Sequence, residues 1–381
     1  MNSHHVISAD SHVNEPEAAW SRIPKKLREK GPHYIQDPKG RKGLYLVIEG
    51  HKPDPVGQTF TAGTGREPAV MKDRVENFTW DRWRGPWDPV ARAADMDQDG
   101  VWLEVLYPSL ARNLYSLSGQ DIPLQLAGIQ SYNDWIPEYC AGLPKRLVGL
   151  GLLSVLDIPW SVNELQRCAK LGLKGVVLPA ILPKDMSYSN PEFDPLWTVA
   201  EKFDYPVHFH IGIRQGYERV AYARGEKNMM EAGNRVVERN IMGAPRLLRD
   251  LMFGLVLEKH PKMRVVFAEY EVHWILPFMT RFEGEVGRFS REYPGIPHMT
   301  ALPSEVVRRQ IYITFQNDAP GIAGAEAAGL IDNCMWANDY PHGGSTWPNS
   351  QNIIDAQLKR MTGEERKKLL WDNAAKLYGL K

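Results

Sequence analysis

The sequence predicts an α/β protein, a (β/α)8 TIM barrel with long insertions after strands 1 and 5. Three observations predict it. Short β-branched runs alternate with longer amphipathic stretches, the rhythm of βα units around a parallel sheet. Eight such runs occur, with helical signals between them, and eight is the number a barrel needs. The length, 381 residues, exceeds the ~250 typical of such a barrel and leaves room for insertions.

In chain order the expected strands are His5–Ala9, Val101–Tyr107, Leu147–Leu153, Gly175–Leu178, Val207–His210, Arg264–Ala268, Gln310–Phe315 and Cys334–Asn338. Helical patterns fall at Pro89–Asp97, Pro123–Cys140, Ser161–Lys170, Pro191–Lys202, Arg246–Lys259, Trp274–Phe289 and Ala319–Ala328, with Gly363–Tyr378 as a closing helix. Two stretches break the rhythm. Residues 21–88 contain Gly31-Pro32, Gly40, Gly43, a strand-like Leu44–Glu49 and the Gly- and Thr-rich Val56–Pro68. Arg214–Asn240 is charged and punctuated by glycine. Both leave the carboxyl ends of strands, the face where barrel active sites form, so both are candidate lids or substrate walls. The absence of an internal repeat makes residues 1–381 one domain in this reading.

Composition excludes several classes. Lys plus Arg and Asp plus Glu both total 46, so the molecule has no excess field for nucleic acid or anionic lipid. The longest apolar stretch, Leu147–Leu156, is too short for a membrane span, and the first ten residues lack a secretory apolar run, so a cytoplasmic location is expected. Cys140, Cys168 and Cys334 are widely spaced, which suits neither a disulfide framework nor a thiolate metal site. The expected partner is a small-molecule substrate, and self-association into a homo-oligomer is left open.

Metal-ligating residue types cluster at strand ends. Asp10 and His12 leave the first strand two residues apart, on one side of an extended chain. His208 and His210 repeat that spacing on the fifth strand, Glu269 closes the sixth, and Asp339 closes the eighth in Trp336-Ala-Asn-Asp-Tyr-Pro-His342. In a barrel Asp10, His12, His210, Glu269 and Asp339 meet at one mouth. Imidazoles and carboxylates so gathered need a cation, which makes a divalent metal the expected cofactor. The oxygen-rich, thiolate-free set suits Mn or Fe, with Zn also accommodated, as one or two ions. Asp339 is the expected proton-transferring base, and His273, four residues after Glu269, is a second candidate acid or base. His208 lies a layer deeper than His210 and is read as an interior histidine. Trp80, Trp83 and Trp87 are read as packing the first insertion, with an aromatic wall carrying Arg82 or Arg84 as the alternative.

Ser8-Ala-Asp-Ser-His-Val-Asn-Glu-Pro16, Trp87–Val101, Tyr205-Pro-Val-His-Phe-His-Ile-Gly212 and Asn338-Asp-Tyr-Pro-His342 together resemble the amidohydrolase-2 group of the amidohydrolase superfamily, which includes aminocarboxymuconate-semialdehyde decarboxylase-like enzymes. The resemblance covers nearly the whole chain. It implies a metal-dependent barrel with ligands from the first, fifth and eighth strands, matching Asp10, His12, His210 and Asp339, and an activity that is either hydrolysis or non-oxidative decarboxylation. Three departures stand out. The first ligand of the His-x-His form is Asp10, the sixth-strand position that is often His is Glu269, and the fourth strand does not end in the lysine that bridges two metals in many hydrolases.

The added carboxylate at Glu269 favours a second ion and a bridging nucleophile. The leading expectation is therefore hydrolysis of an ester, thioester or amide carbonyl by metal-activated water, with Asp339 moving the proton. The alternative is decarboxylation of a carboxylate substrate, with His273 as proton donor. A barrel that binds or assembles without catalysis is the third reading.

Overall fold

The computed structural model describes residues 6–64, 67–216, 228–293, 295 and 297–380. Among the described residues, eight parallel strands carry the fold. They are β1 (Ile7–Val13), β2 (Leu103–Pro108), β3 (Leu147–Gly149 and, past Leu150, Gly151–Leu152), β4 (Val176–Ile181), β5 (Val207–Arg214), β6 (Val265–Ala268), β7 (Ile311–Phe315) and β8 (Cys334–Trp336). One sheet runs from β1 through β2 to the first half of β3, and the other from the second half of β3 in order to β8. Every sequence-predicted run overlaps one of these strands. β1, β2 and β6 are buried along their whole length, as expected for a parallel sheet covered on both faces. Between β1 and β8 the Asp339 amide donates to the Asp10 carbonyl at 2.9 Å and the His12 amide to the Tyr340 carbonyl at 2.6 Å.

The helices start and stop for local reasons. Asp88 precedes Pro89 and its carboxylate accepts from the amides of Val90 and Ala91, capping the Pro89–Asp99 helix. Gly100 ends that helix at φ +70°, a left-handed conformation that costs glycine little. The expected Arg246–Lys259 helix is two helices, Gly243–Phe253 and Val256–Lys259, because Leu255 turns left-handed at φ +62°. The closing Gly363–Tyr378 segment is likewise divided by a π-helical turn at Lys368–Asp372. No helix among the described residues is long and apolar enough to cross a membrane.

Residues 21–88 carry their own three-stranded antiparallel sheet, His33–Gln36, Leu44–Val47 and Asp54–Pro55. Phe60, Phe78, Trp80, Trp83 and Trp87 pack into a continuous aromatic cluster behind it. Arg82 lies over the Trp83 ring and 3.5 Å from Asp73, and Arg84 pairs with Asp88. Both guanidinium groups are thus engaged within the insertion, where the tryptophans pack with the neighbouring aromatic rings. The insertion reaches the end of β8 through two backbone bonds, from Thr61 and Ala62 to the Pro341 carbonyl at 3.0 and 2.9 Å. Of the second expected insertion, Arg214 ends β5, residues 217–227 lie outside the described residues, and a helix over Met229–Val236 runs into the π-helical Val237–Ile241.

Candidate metal centre

The strand ends bring Asp10, His12 and His210 together, and a second overlapping group joins His12 to Asp339 and His342. β1 does not run straight here. Its pairing with β2 shifts register between Ser8 and Ser11, where the Ser8 hydroxyl donates to the Asp10 carbonyl and the Ser11 hydroxyl to Ser8. Such an irregularity re-aims side chains beside a site. Asp10 and His12 are fully buried.

The tautomers follow from the hydrogen bonds. His210 Nδ1 lies 2.8 Å from the Ile211 carbonyl and His12 Nδ1 3.3 Å from the Pro108 carbonyl. A carbonyl only accepts, so each Nδ1 carries a proton, and each Nε2 is the atom left to hold a cation or, in the metal-free chain, a second proton. Those two Nε2 atoms are 3.0 Å apart. Asp10 Oδ1 stands 3.4 Å from one and 3.6 Å from the other, and it is buried without a hydrogen-bond partner. Two lone pairs and an unpartnered carboxylate oxygen facing one point are satisfied by a proton or a cation there, and the nitrogen and oxygen donors fit a divalent metal.

Electrostatics agrees. Burial, then repulsion from Asp10, pushes Asp339 up to about 8. Burial and Asp339 push Glu269 up to about 7, although its side chain keeps 31% of its surface open, so water moderates that shift. Burial opposes the charge on His210, but Asp10 and Glu269 outweigh it and raise the imidazole to about 9. Burial, with the neighbouring His342 and His210, drives His12 well below its ordinary value. Without a cation, three of these groups retain protons that the unfolded chain releases. Stability of the metal-free chain is therefore expected to fall as pH rises from about 6.5 to 9, because the folded state binds more protons there. Saturating Mn2+ should reduce that fall, since a cation among Asp10, His12 and His210 takes the place of the His210 proton. Thermal melts with and without Mn2+ across this range measure it, and parallel curves would contradict it.

The two turning points of the site adopt a costly backbone. Glu269 and Asp339 sit at φ +62° and +51°, the left-handed region that non-glycine residues seldom enter. Such conformations concentrate at functional sites. The Glu269 amide donates to Thr314 Oγ1 at 2.9 Å, and that hydroxyl lies 3.5 Å from Asp10 Oδ2. Asp339 Oδ1 is 3.4 Å from His12 Nε2 and receives His342 Nδ1 at 2.8 Å. The His342 ring lies 3.9 Å from the His12 ring, and its Nε2 is 3.3 Å from Ser109 Oγ.

Not every expected residue joins the cluster. Glu269 approaches His210 at 3.5 Å but belongs to neither group of converging ligand atoms. His273 points elsewhere: its Nδ1 is 3.2 Å from Asp318 and its side chain is 56% exposed. The Asp318 carboxylate also accepts the amides of Val272 and His273, so this imidazole closes a helix-end arrangement. His260 is buried between Asp194 and Glu201.

Sequence reasoning also missed the support beneath the mouth. Asn338 Oδ1 accepts from the hydroxyls of Ser8 and Ser11, at 2.9 and 2.7 Å, and from the Tyr340 amide. Its Nδ2 donates toward Asp99 and Glu104. Arg92, fully buried, pairs with Glu104 and donates to the His12 carbonyl at 2.8 Å. Asn338 beside Asp339 was the available signal. Arg92 lies in an amphipathic helix and gave none.

The chain matches the Amidohydrolase family over residues 9–380. It is 26% identical over 306 residues to the 2-amino-3-carboxymuconate-6-semialdehyde decarboxylase of Dictyostelium discoideum, covering 77% of each chain. Its structure is similar to an amidohydrolase of Mycobacterium avium subsp. paratuberculosis K-10, with a TM-score of 0.78, 21% identity and 100% of each chain covered. It is also similar to a 5-carboxyvanillate decarboxylase of Novosphingobium aromaticivorans complexed with manganese and 4-hydroxy-3-methoxy-5-nitrobenzoic acid. That match has a TM-score of 0.67 and 18% identity, covering 99% of this chain and 96% of the other. The expectation of ester, thioester or amide hydrolysis is corrected by these findings, because the characterised activities among the relatives are decarboxylations. The physical reason lies in Glu269: the second ion it favours needs it among the ligands, and it belongs to neither group of converging ligand atoms. With its motifs at the ends of β1, β5 and β8 gathered into one buried cluster, the chain belongs to the amidohydrolase family.

Proposed function

We propose that the protein is a metal-dependent non-oxidative decarboxylase of a small unsaturated or aromatic carboxylate, built on a closed (β/α)8 barrel. Closure is supported by the sequential strand order and by the two backbone bonds between the ends of β1 and β8. The observation that carries the chemistry is a single point of convergence, Asp10, His12 and His210, flanked by the Asp339–His342 pair. One cation held there supplies positive charge for a substrate carboxylate and an adjacent oxygen, and the manganese in a similar structure supports Mn2+.

This chain's own groups do the rest. Asp339, backed by His342 at 2.8 Å, is the acid that gives its proton to the substrate carbon. The carbon–carbon bond breaks, its electron pair takes that proton, carbon dioxide leaves, and Asp339 is reprotonated from solvent by way of His342. Asp339 suits this role better than His273, which is committed to Asp318. The first insertion, tied to Pro341 through Thr61 and Ala62, serves as a fixed wall of the substrate chamber.

The reaction itself is tested with Mn2+-loaded protein on 5-carboxyvanillate and 2-amino-3-carboxymuconate 6-semialdehyde. The expected result is carbon dioxide and a product one carboxyl group poorer, whereas incorporation of solvent oxygen without carbon dioxide release overturns the reading.

A further inference from the structure

Beneath the candidate metal ligands lies a second buried layer to which the proposed reaction assigns no role. Tyr107 stands on β2 in register with His12 on β1. It is fully buried, and its ring packs 6.0 Å from the His12 ring and 5.0 Å from the His210 ring. The two imidazoles meet edge-on at 89°, with centroids 4.7 Å apart. One phenol ring therefore braces both imidazoles.

The phenol is itself held from below. Its hydroxyl and His208 Nδ1 are 2.7 Å apart, a hydrogen bond between two fully buried groups. His208 is clamped in turn. Tyr378, from the closing helix, stacks on its ring at 5.8 Å and 13°. Gly175 backs its other edge so closely that a Cβ there would lie 2.5 Å from His208 Nε2. His208 therefore has little freedom to move, and the hydroxyl bound to it fixes how far Tyr107 can tilt toward His12 and His210.

We infer that Tyr107 and His208 form a positioning pair that sets the angle and spacing of the two metal-binding imidazoles, so that metal affinity depends on a phenol hydroxyl that never touches the metal. This rests on the metal reading above and adds to it the residues that determine coordination geometry. Partners that orient ligands are worth roughly tenfold to a hundredfold in metal affinity.

The test is Mn2+ titration of the full-length metal-free chain, together with visible absorption of the Co2+-loaded form, which reports ligand geometry independently of turnover. Tyr107→Phe keeps the ring and removes the hydrogen bond. It is expected to raise the Mn2+ Kd roughly tenfold and to shift the Co2+ bands. Tyr188→Phe is the control: its buried hydroxyl donates to the Pro179 carbonyl at 2.5 Å, and its loss should lower thermal stability while leaving Kd and spectrum unchanged. A second pair guards against misfolding. His208→Asn places an amide atom where Nδ1 was, preserves the partner for Tyr107 and should bind Mn2+ much as the wild type does, whereas His208→Leu should behave like Tyr107→Phe. Wild-type binding with unaltered Kd and spectrum in Tyr107→Phe and His208→Leu overturns this inference alone. A wild-type chain that binds neither ion overturns the metal reading and this inference with it.

Discussion

Asp339→Asn is expected to lower kcat for carbon dioxide release by roughly 10^3-fold, within the range a positioned proton donor contributes, while the chain stays folded. The substitution suits the backbone. Asparagine tolerates the left-handed φ of +51° better than almost any residue except glycine. It keeps an oxygen for the His342 Nδ1 that now meets Asp339 at 2.8 Å, but it cannot surrender a proton to carbon. It also removes one of the carboxylates whose mutual repulsion, with burial, pushes Asp339 and Glu269 upward. The metal-free variant should therefore melt no lower than the wild type at pH 8. Kinetics and thermal melts on the same preparation separate the two effects, and a variant that turns over normally would exclude Asp339 as the acid.

The second large effect concerns stability. Arg92→Met is expected to destabilise the fold by about 3–5 kcal/mol, the usual cost of stranding one partner of a buried ion pair. Arg92 and Glu104 are both almost wholly inaccessible. Burial works against the Arg92 charge, but Glu104 more than offsets it and keeps the guanidinium protonated. The same guanidinium donates to the His12 carbonyl and lies over the Tyr340 ring at 5.1 Å. Its removal leaves the Glu104 carboxylate in the interior next to the Asn338 network and frees the end of β1. Denaturant unfolding measures the loss. Pairing Arg92→Met with Glu104→Gln should recover part of it, because the stranded charge is then gone. A loss below about 1 kcal/mol would place the pair among those that contribute little.

The positions of β2 and β6 were legible because each is a wholly buried run rich in aliphatic side chains. The convergence of Asp10, His12, His210 and Asp339 was legible because strand order alone places the ends of parallel strands on one face. The interruption at Leu255 was not, since a left-handed leucine is imposed by tertiary packing and leaves no local mark. His273 misled for a related reason. Its spacing from Glu269 assumes a regular chain, whereas left-handed turns at Glu269 and Glu271 re-aim the segment so that His273 meets Asp318. Glu269 misled in chemistry rather than position. It does close the sixth strand beside His210, but its atoms belong to neither group of converging ligands. Tyr107 meets His208, 101 residues away, and Arg92 meets Glu104 on the strand after its helix, and such pairings become visible only with the fold.

In the proposed enzyme, imidazoles and a carboxylate from β1 and β5 share one cation. Elemental analysis of purified wild-type chain and His210→Ala, each equilibrated with the same low concentration of Mn2+ and freed of unbound ion, tests this most directly. The prediction is one manganese per wild-type chain and almost none in the folded variant, since the lone pair facing His12 at 3.0 Å is gone. Equal manganese content in the two proteins, or none in either, would contradict it.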